Sequence, residues 1–261
     1  MNAFNIMIVT FLGLVLGSFA TALSYRMPRD ISILTVKRSL CPVCQHTLGM
    51  ADLVPVFSWV FLRGKCRHCR APIGWRYPLI ELATLALCLI LYAVYGLAPE
   101  TVLVFALAPI IVSIIDIDLH HKIIPDSLNL SVLLLGAALL VVNAFTDGTP
   151  LEFILAKGGI ALGGAVLYGV AALALRQAVM LAVKRESMGL GDVKFFAAAG
   201  FWLGADLDAA ALFMTIAGLC GVGLSLIWKK MFKDPEVPFG PALMIAFFTV
   251  LCLHIPVFIN I

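Results

Sequence analysis

Residues 101–122 read TVLVFALAPIIVSIIDIDLHHK. The run opens as a continuous apolar segment and closes on Asp116, Asp118, His120, His121 and Lys122. Hydrocarbon about 30 Å thick is crossed by roughly 20 apolar residues at about 1.5 Å per residue. The stretch therefore predicts a transmembrane helix over 101–118 whose end carries carboxylates to the membrane boundary. Ionisable groups in such a position are costly, so each needs a reason.

Working outward, comparable windows lie near 4–24, 78–96, 127–145, 151–175, 208–228 and 239–259, making seven spans in all. An eighth, GLGDVKFFAAAGFWLG at 189–204, reaches only about 24 Å. It is predicted to be tilted, submerged at one end, or packed among neighbours that tolerate irregular backbone. Composition agrees: of 261 residues 62% are hydrophobic and 13% charged, with mean hydropathy +1.06. A soluble fold could not bury that much apolar surface, which excludes a secreted disulfide scaffold, a disordered tail and a compact cytosolic enzyme. A net charge of +3 points to no nucleic-acid partner. The expected fold class is an all-α polytopic membrane protein of about eight transmembrane helices, with the lipid bilayer as its surroundings.

The few charges set its orientation. Nothing basic precedes the first apolar segment, and Arg26, Arg29, Lys37 and Arg38 follow it, so the N-terminus is expected outside and the next loop in the cytoplasm. Threading eight spans from there places 17 of the 18 Lys and Arg residues inside, including Lys122, Arg176, Lys184, Arg185, Lys194, Lys229, Lys230 and Lys233; only Lys157 falls near the outer side. The outer turns carry Glu100, Asp147, Glu152, Asp206 and Asp208, and both termini come out external.

The chain then divides into a first helix (1–25), a polar insert (26–77) and a seven-helix core (78–261). The insert holds four of the seven cysteines, as Cys41-Pro-Val-Cys44 and Cys66-Arg-His-Cys69, with 21 residues between the two pairs. Two C-x-x-C knuckles at this spacing predict a zinc-ribbon-like structural site, each presenting two thiolates to one tetrahedral ion. Metal closure would supply much of the stability that so small an insert cannot draw from a core. A pair of redox dithiols is the rival reading, and a reducing cytoplasm disfavours it. Cys88, Cys220 and Cys252 lie in apolar spans and read as small buried hydrophobes.

Two acidic sites return to one depth on one face of the membrane: Asp116-Ile-Asp118 at the end of the third span, and Gly189-Leu-Gly191-Asp192 at the start of the short one. Like charges at close range cannot both ionise easily, so one carboxyl keeps a proton while the other acts as a base. Such a dyad can activate water against a peptide carbonyl and protonate the departing nitrogen. Gly189 and Gly191 would let backbone and substrate approach the carboxylate closely. Asp116 and Asp118 stand about 200° apart around a helix, so only one can point at Asp192, and local physics does not select it. Asp126, after Pro125, reads as an N-terminal cap of the fourth span. His120 and His121 read as solvated interface residues, and His254 has no evident partner in the sequence.

These residues resemble the type IV prepilin leader peptidases, bifunctional peptidase and N-methyltransferase members of the GxGD membrane aspartic proteases. The resemblance runs through Gly17-Ser-Phe-Ala-Thr-Ala-Leu-Ser-Tyr-Arg-Met-Pro28, through Pro55 to Cys69 with the continuation Arg76-Tyr-Pro-Leu-Ile-Glu81, through the two Asp sites, and through Pro238-Phe-Gly-Pro241. It places the first catalytic aspartate seven residues before the proline, selecting Asp118, and the second at Asp192. It also implies cytoplasmic cleavage of a short basic leader from prepilins or pseudopilins in a bacterial inner membrane, followed by methylation of the new N-terminus from S-adenosylmethionine. Glu81 is the candidate for the methyl-donor site, because a sulfonium favours a nearby carboxylate. Thr21 stands where the family usually has Asn, which separates a peptidase-only reading from the bifunctional one. Paired intramembrane aspartates would also suit an ion-coupled transporter or proton relay, although mid-membrane carboxylates and internal repeats are not evident. A non-catalytic secretion-assembly protein, docking through the insert, would leave the Gly-x-Gly-Asp geometry unexplained.

Overall fold

A computed structural model describes residues 2–33, 38–98, 101–146, 148, 150–183, 188–232, 234 and 236–254. Lys37, Glu100, Asp147, Lys184, Arg185 and Lys233 of the charge pattern, and the end of the predicted last span, lie outside the described residues. Among those described the chain is all-helical, with isolated bridges in the insert but no strand. Among the described residues six helices are long and apolar enough to cross a membrane, by length and composition: Ala3–Arg29, Arg76–Tyr95, Val102–His121, Asp126–Thr146, Leu151–Ala182 and Leu207–Phe232. Of the eight expected spans these account for six; the remaining two fall on shorter helices, Leu190–Leu203 and Gly240–Leu253, of 14 residues each. At about 1.5 Å per residue they measure only about 21 Å.

The chain forms two compact units. The first holds residues 1–97 and 105–116. Its α1 (Ala3–Arg26) packs against α3 (Arg76–Tyr95) through glycines one turn apart. A Cβ on Gly17 would lie 2.8 Å from Glu81 Cα, and one on Gly13 would lie 2.9 Å from Leu85 Cδ1, so the helices touch through backbone. Close approach at small residues replaces the hydrophobic drive that lipid removes. Between α1 and α3 lies the insert, with the short helix α2 (Phe57–Phe61). The start of the third apolar segment is broken into α4 (Val102–Phe105) and α5 (Leu107–His121). Pro109 explains the break, because it cannot donate to the Phe105 carbonyl four residues back. In this unit Ser113 Oγ donates to the Ala20 carbonyl at 3.2 Å, tying α5 to α1.

The second unit holds residues 98–104 and 117–261. Its centre is α8 (Leu190–Leu203), packed against α6 (Asp126–Thr146), α7 (Leu151–Val183), α9 (Leu207–Phe232) and α10 (Gly240–Leu253). A helix apolar all round belongs in an interior, and Phe195, Ala199 and Trp202 are fully buried. The short segment is therefore the hub of this unit. Gly164 of α7 meets Gly200 of α8 backbone to backbone. Gly136 of α6 makes room for the Trp202 ring, whose Nε1 donates to the Val132 carbonyl at 2.8 Å.

Candidate active site

Asp118 lies in the last turn of α5 and Asp192 in the first turn of α8, and both are buried. Asp118 lies within electrostatic reach of Asp192. Each carboxylate accepts a hydrogen bond from a glycine backbone. Gly189 N–H donates to Asp192 Oδ2 at 2.9 Å, and Gly240 N–H donates to Asp118 Oδ2 at 2.6 Å. A Cβ on Gly240 would lie 2.8 Å from that same oxygen, so a side chain there would drive the carboxylate away.

The two acidic motifs also interlock through backbone. A Cβ on Gly191 would lie 3.0 Å from the Ile124 carbonyl, inside the segment that follows Asp118. Asn129 Nδ2 donates to the Gly191 carbonyl at 3.0 Å, while its buried Oδ1 has no hydrogen-bond partner. Upstream, Arg176 Nε donates to the Met188 carbonyl at 3.0 Å, fastening the residue that enters the Gly-x-Gly-Asp turn.

Asp116 faces a different group. Its two oxygens take Arg76 Nε and Nη2 at 2.7 and 2.5 Å, a bidentate pair within the first unit. The guanidinium fork matches the planar carboxylate and compensates for its burial. Asp126 opens α6 and ion-pairs with Lys194 at 2.6 Å, so a charge contact accompanies its place in the first turn. Lys122, left-handed at φ 56, ends α5 and reaches Asp234 at 2.5 Å and Glu236 at 3.3 Å. The paired Asp234 holds the Lys122 ammonium above its usual value, and Lys122 in turn holds the Asp234 carboxyl below the usual carboxylate range.

His120 and His121 are exposed. His254 differs from its reading as partnerless: its Nδ1 lies 4.0 Å from Asp206 Oδ2. Cys88 is buried as expected, whereas Cys220 and Cys252 are only partly so.

In the insert, the ligand atoms of Cys41, Cys44, Cys66 and Cys69 all lie within 4.8 Å of one another. The two knuckles repeat one design. Cys41 N–H donates to His46 O and Gln45 N–H to Cys41 O; Cys66 N–H donates to Ala71 O and Arg70 N–H to Cys66 O. Gln45 and Arg70 take the matching left-handed φ of 57 and 60. Zn–S bonds near 2.3 Å set tetrahedral S···S edges at about 3.8 Å, and Cys41 Sγ lies 3.9 Å from Cys69 Sγ. The donor set and its spacing fit a structural zinc ion. Backbone N–H groups of Cys44 and Val43 draw the Cys41 thiol down to about 7. Cys69 stands at about 11: the Ala71 N–H lowers it, but burial and the three neighbouring sulfurs outweigh that. Bare thiols this close do not ionise together, and a divalent cation removes the conflict.

Glu81 lies where α3 crosses Gly17, and its Oε2 accepts the Val56 N–H at 2.6 Å. Thr21 Oγ1 donates to the Ser18 carbonyl at 2.7 Å, within its own helix.

Residues 11–95 match the family described as the bacterial peptidase A24 N-terminal domain, and residues 103–226 match the type IV leader peptidase family. The prepilin leader peptidase/N-methyltransferase of Burkholderia pseudomallei strain 1026b is 34% identical over 262 residues, covering 89% of this chain and 80% of the relative. The chain belongs to the type IV leader peptidase family. Within it, the prepilin leader peptidase/N-methyltransferase of Bacillus subtilis strain 168 is 35% identical, covering 88% of this chain and 87% of the relative. The type 4 prepilin-like proteins leader peptide-processing enzyme of Escherichia coli O78:H11 is 32% identical, with 88% and 87% covered. No solved structure matches. Family membership disfavours a transporter or proton relay, and the aspartates of this member stand at helix ends.

Three contributors were not legible as such in the sequence. Gly240 sits in the Pro-Phe-Gly-Pro motif and Arg76 in the Arg-Tyr-Pro motif, each without an evident task, and Asn129 carried no signal beyond being polar inside an apolar run.

Proposed function

We propose that this chain is a membrane aspartic endopeptidase that removes the leader of prepilins or pseudopilins and then methylates the new N-terminus. The observation that carries the reading is the pair of buried carboxylates, Asp118 and Asp192, each fixed by one glycine N–H, in a chain whose relatives are named prepilin leader peptidase/N-methyltransferase. Asp118 and Asp192 are the dyad. One carboxylate takes a proton from water as its oxygen attacks the scissile carbonyl; the other, protonated, donates to that carbonyl oxygen. Collapse of the tetrahedral centre breaks the C–N bond, and the departing nitrogen takes a proton from the dyad. The Gly240 and Gly189 N–H groups keep both carboxylates aimed without neutralising them. Asp116 is not part of this chemistry, because Arg76 occupies both of its oxygens.

The remaining assignments belong to the same proposal. The chain crosses the bacterial inner membrane eight times, with α8 and α10 as short crossings, both termini external and the dyad near the cytoplasmic face. That face is where Lys and Arg concentrate and where a positively charged leader is retained. The chain divides into a first helix (1–25), a cytoplasmic insert (26–77) held by zinc on Cys41, Cys44, Cys66 and Cys69, and a protease core (78–261). S-adenosylmethionine supplies an electrophilic methyl group on a sulfonium. Glu81, at the join of insert and α3, offers a carboxylate to that cation.

Purified protein incubated with a prepilin tests the reading. Cleavage that is lost in Asp118→Ala and in Asp192→Ala separately supports it, and a normal rate in either refutes the dyad. Labelled S-adenosylmethionine in the same reaction reads the second activity: an unlabelled mature N-terminus leaves a peptidase alone.

A further inference from the structure

Helix α2 takes no part in the cysteine cluster, and its surface is unusual for a polar insert. Of its five residues, Phe57 is 54%, Val60 57% and Phe61 81% exposed. Trp59 turns inward: its Nε1 donates to the Ile73 carbonyl at 2.9 Å, and its ring centroid lies 4.1 Å from that of Trp75. Apolar surface of this kind is unfavourable in water, so its location relative to the membrane matters.

Three contacts within the first unit fix that location. Trp75 immediately precedes the span Arg76–Tyr95, and Trp59 stacks on it, which holds α2 at the end of the span. Val56, at the start of α2, donates its N–H to Glu81 Oε2. Glu81 is five residues into α3, about 7 Å along its axis. Val56 itself takes φ 63, a region that a β-branched residue enters only when its surroundings force it. The chain bends sharply there, and the Glu81 carboxylate and the Trp59–Trp75 contact tie α2 to the N-terminal end of a membrane-spanning helix. Trp75, just before α3, and Leu79 stand one turn apart and are both exposed, so exposed apolar side chains lie at the start of the span as well as on α2. Arg63 and Lys65, exposed, follow α2 directly.

We propose that α2 is an interfacial anchor: Phe57, Val60, Phe61 and Trp75 enter the boundary between headgroups and acyl chains beside α3, with Arg63 and Lys65 facing the phosphates of anionic lipid. Aromatic rings favour that depth, and basic side chains reach from it to headgroups. Continuity with a spanning helix and the basic flank make the occupant lipid. The insert then lies on the bilayer surface, and α2 holds the Val56–Glu81 contact close to it. The proposal requires only that Arg76–Tyr95 crosses the membrane, and it stands apart from the protease reading.

The test uses the full chain in nanodiscs of phosphatidylethanolamine and phosphatidylglycerol, with photoreactive benzoylphenylalanine replacing Phe61 or, as a control in the first knuckle, the exposed Val43. A single monodisperse peak on size exclusion and a Tm equal to that of the unsubstituted chain check that each variant is folded. After irradiation, intact-mass measurement is expected to show phospholipid adducts at position 61 at least tenfold above position 43. Equal yields at the two positions, no lipid adduct at 61, or a cross-linked second chain at 61 overturns the anchor. Exchanging phosphatidylglycerol for phosphatidylcholine is expected to lower the yield at 61 at least twofold; an unchanged yield overturns the role given to Arg63 and Lys65.

Discussion

Gly240 gives its backbone N–H to Asp118 Oδ2 at 2.6 Å, joining residues 122 positions apart in sequence. The contact works only because position 240 has no side chain: a Cβ would meet Asp118 Oδ2, Cβ and Cγ at 2.8 to 2.9 Å. Gly240→Ala should therefore displace the carboxylate more than it destabilises the fold. The expected result is a fall in cleavage kcat of at least tenfold, about 1.4 kcal/mol in the barrier, at nearly unchanged KM and Tm. A variant that cleaves normally would remove Gly240 from the site.

The neighbouring aspartate should behave in the opposite way. Asp116 is bound on both oxygens by Arg76, which is 32% exposed while Asp116 is 9% exposed. Removing one partner of such a pair leaves the other charge uncompensated, at a cost of about 3 kcal/mol. Asp116→Asn is expected to lower Tm clearly while the protein that remains folded keeps its kcat. Loss of kcat at unchanged Tm would exchange the roles of Asp116 and Asp118.

Periodicity and length revealed the apolar helices, because a bilayer demands about 20 apolar residues wherever it is crossed. They could not distinguish the surroundings of Asp116 from those of Asp118, since these are set by Arg76 and Gly240, which are remote in sequence. The 14 residues of α8 were too short to read as an ordinary span for a definite reason: the helix is surrounded by other helices. The cysteine pairs were legible because a tetrahedral four-thiolate site calls for a local spacing, and the knuckle bonds at 41–46 and 66–71 follow that spacing. Glu81 was legible as a carboxylate near the membrane, but not its bond to Val56, which needs the strained turn into α2.

The loop that delivers Gly240 is clipped to the end of α5 by Lys122, Asp234 and Glu236. Pairing lowers the Asp234 carboxyl and raises the Lys122 ammonium. A lowered carboxyl contributes its stability above the unfolded value, about 3.9, and loses it as pH falls through the folded one. The raised ammonium keeps its contribution below about 10.4 and loses it only as pH rises through its folded value. The clip should hold from about pH 4 to above pH 10. Hydrogen exchange at residues 236–240 is expected to lose protection as pH drops below that window, after correction for intrinsic rates, and Asp234→Asn should show the low-pH pattern at pH 7. Unaltered protection in that variant would show that the clip does not hold the loop.

Metal removal should act on the insert before the core. The four thiols lie within 4.8 Å of one another, and an insert this small draws little stability from a core of its own, so an ion held by them would carry much of it. A chelator, or Cys41→Ser with Cys66→Ser, is expected to expose residues 38–73 to limited proteolysis while residues 190–203 stay resistant. Equal resistance of the insert with and without metal would make the cysteines incidental to its stability.

Asn129 supplies the most specific test of the Gly-x-Gly-Asp turn. Its Nδ2 is the donor seen by the Gly191 carbonyl, one residue before Asp192, while its Oδ1 is buried without a partner. Asn129→Ala removes a useful bond and an unsatisfied acceptor together, so the net loss of stability should be small, about 1 kcal/mol. The turn is affected more, because Gly191 is pressed against Ile124 and relies on that bond to hold its peptide plane. Cleavage kcat should fall by more than the Tm shift accounts for, with KM little changed. Asn129→Leu, which restores bulk without the donor, should fail to recover the rate, whereas Asn129→Gln, which can still donate, should recover part of it. Recovery by Leu would reduce Asn129 to a space-filling residue.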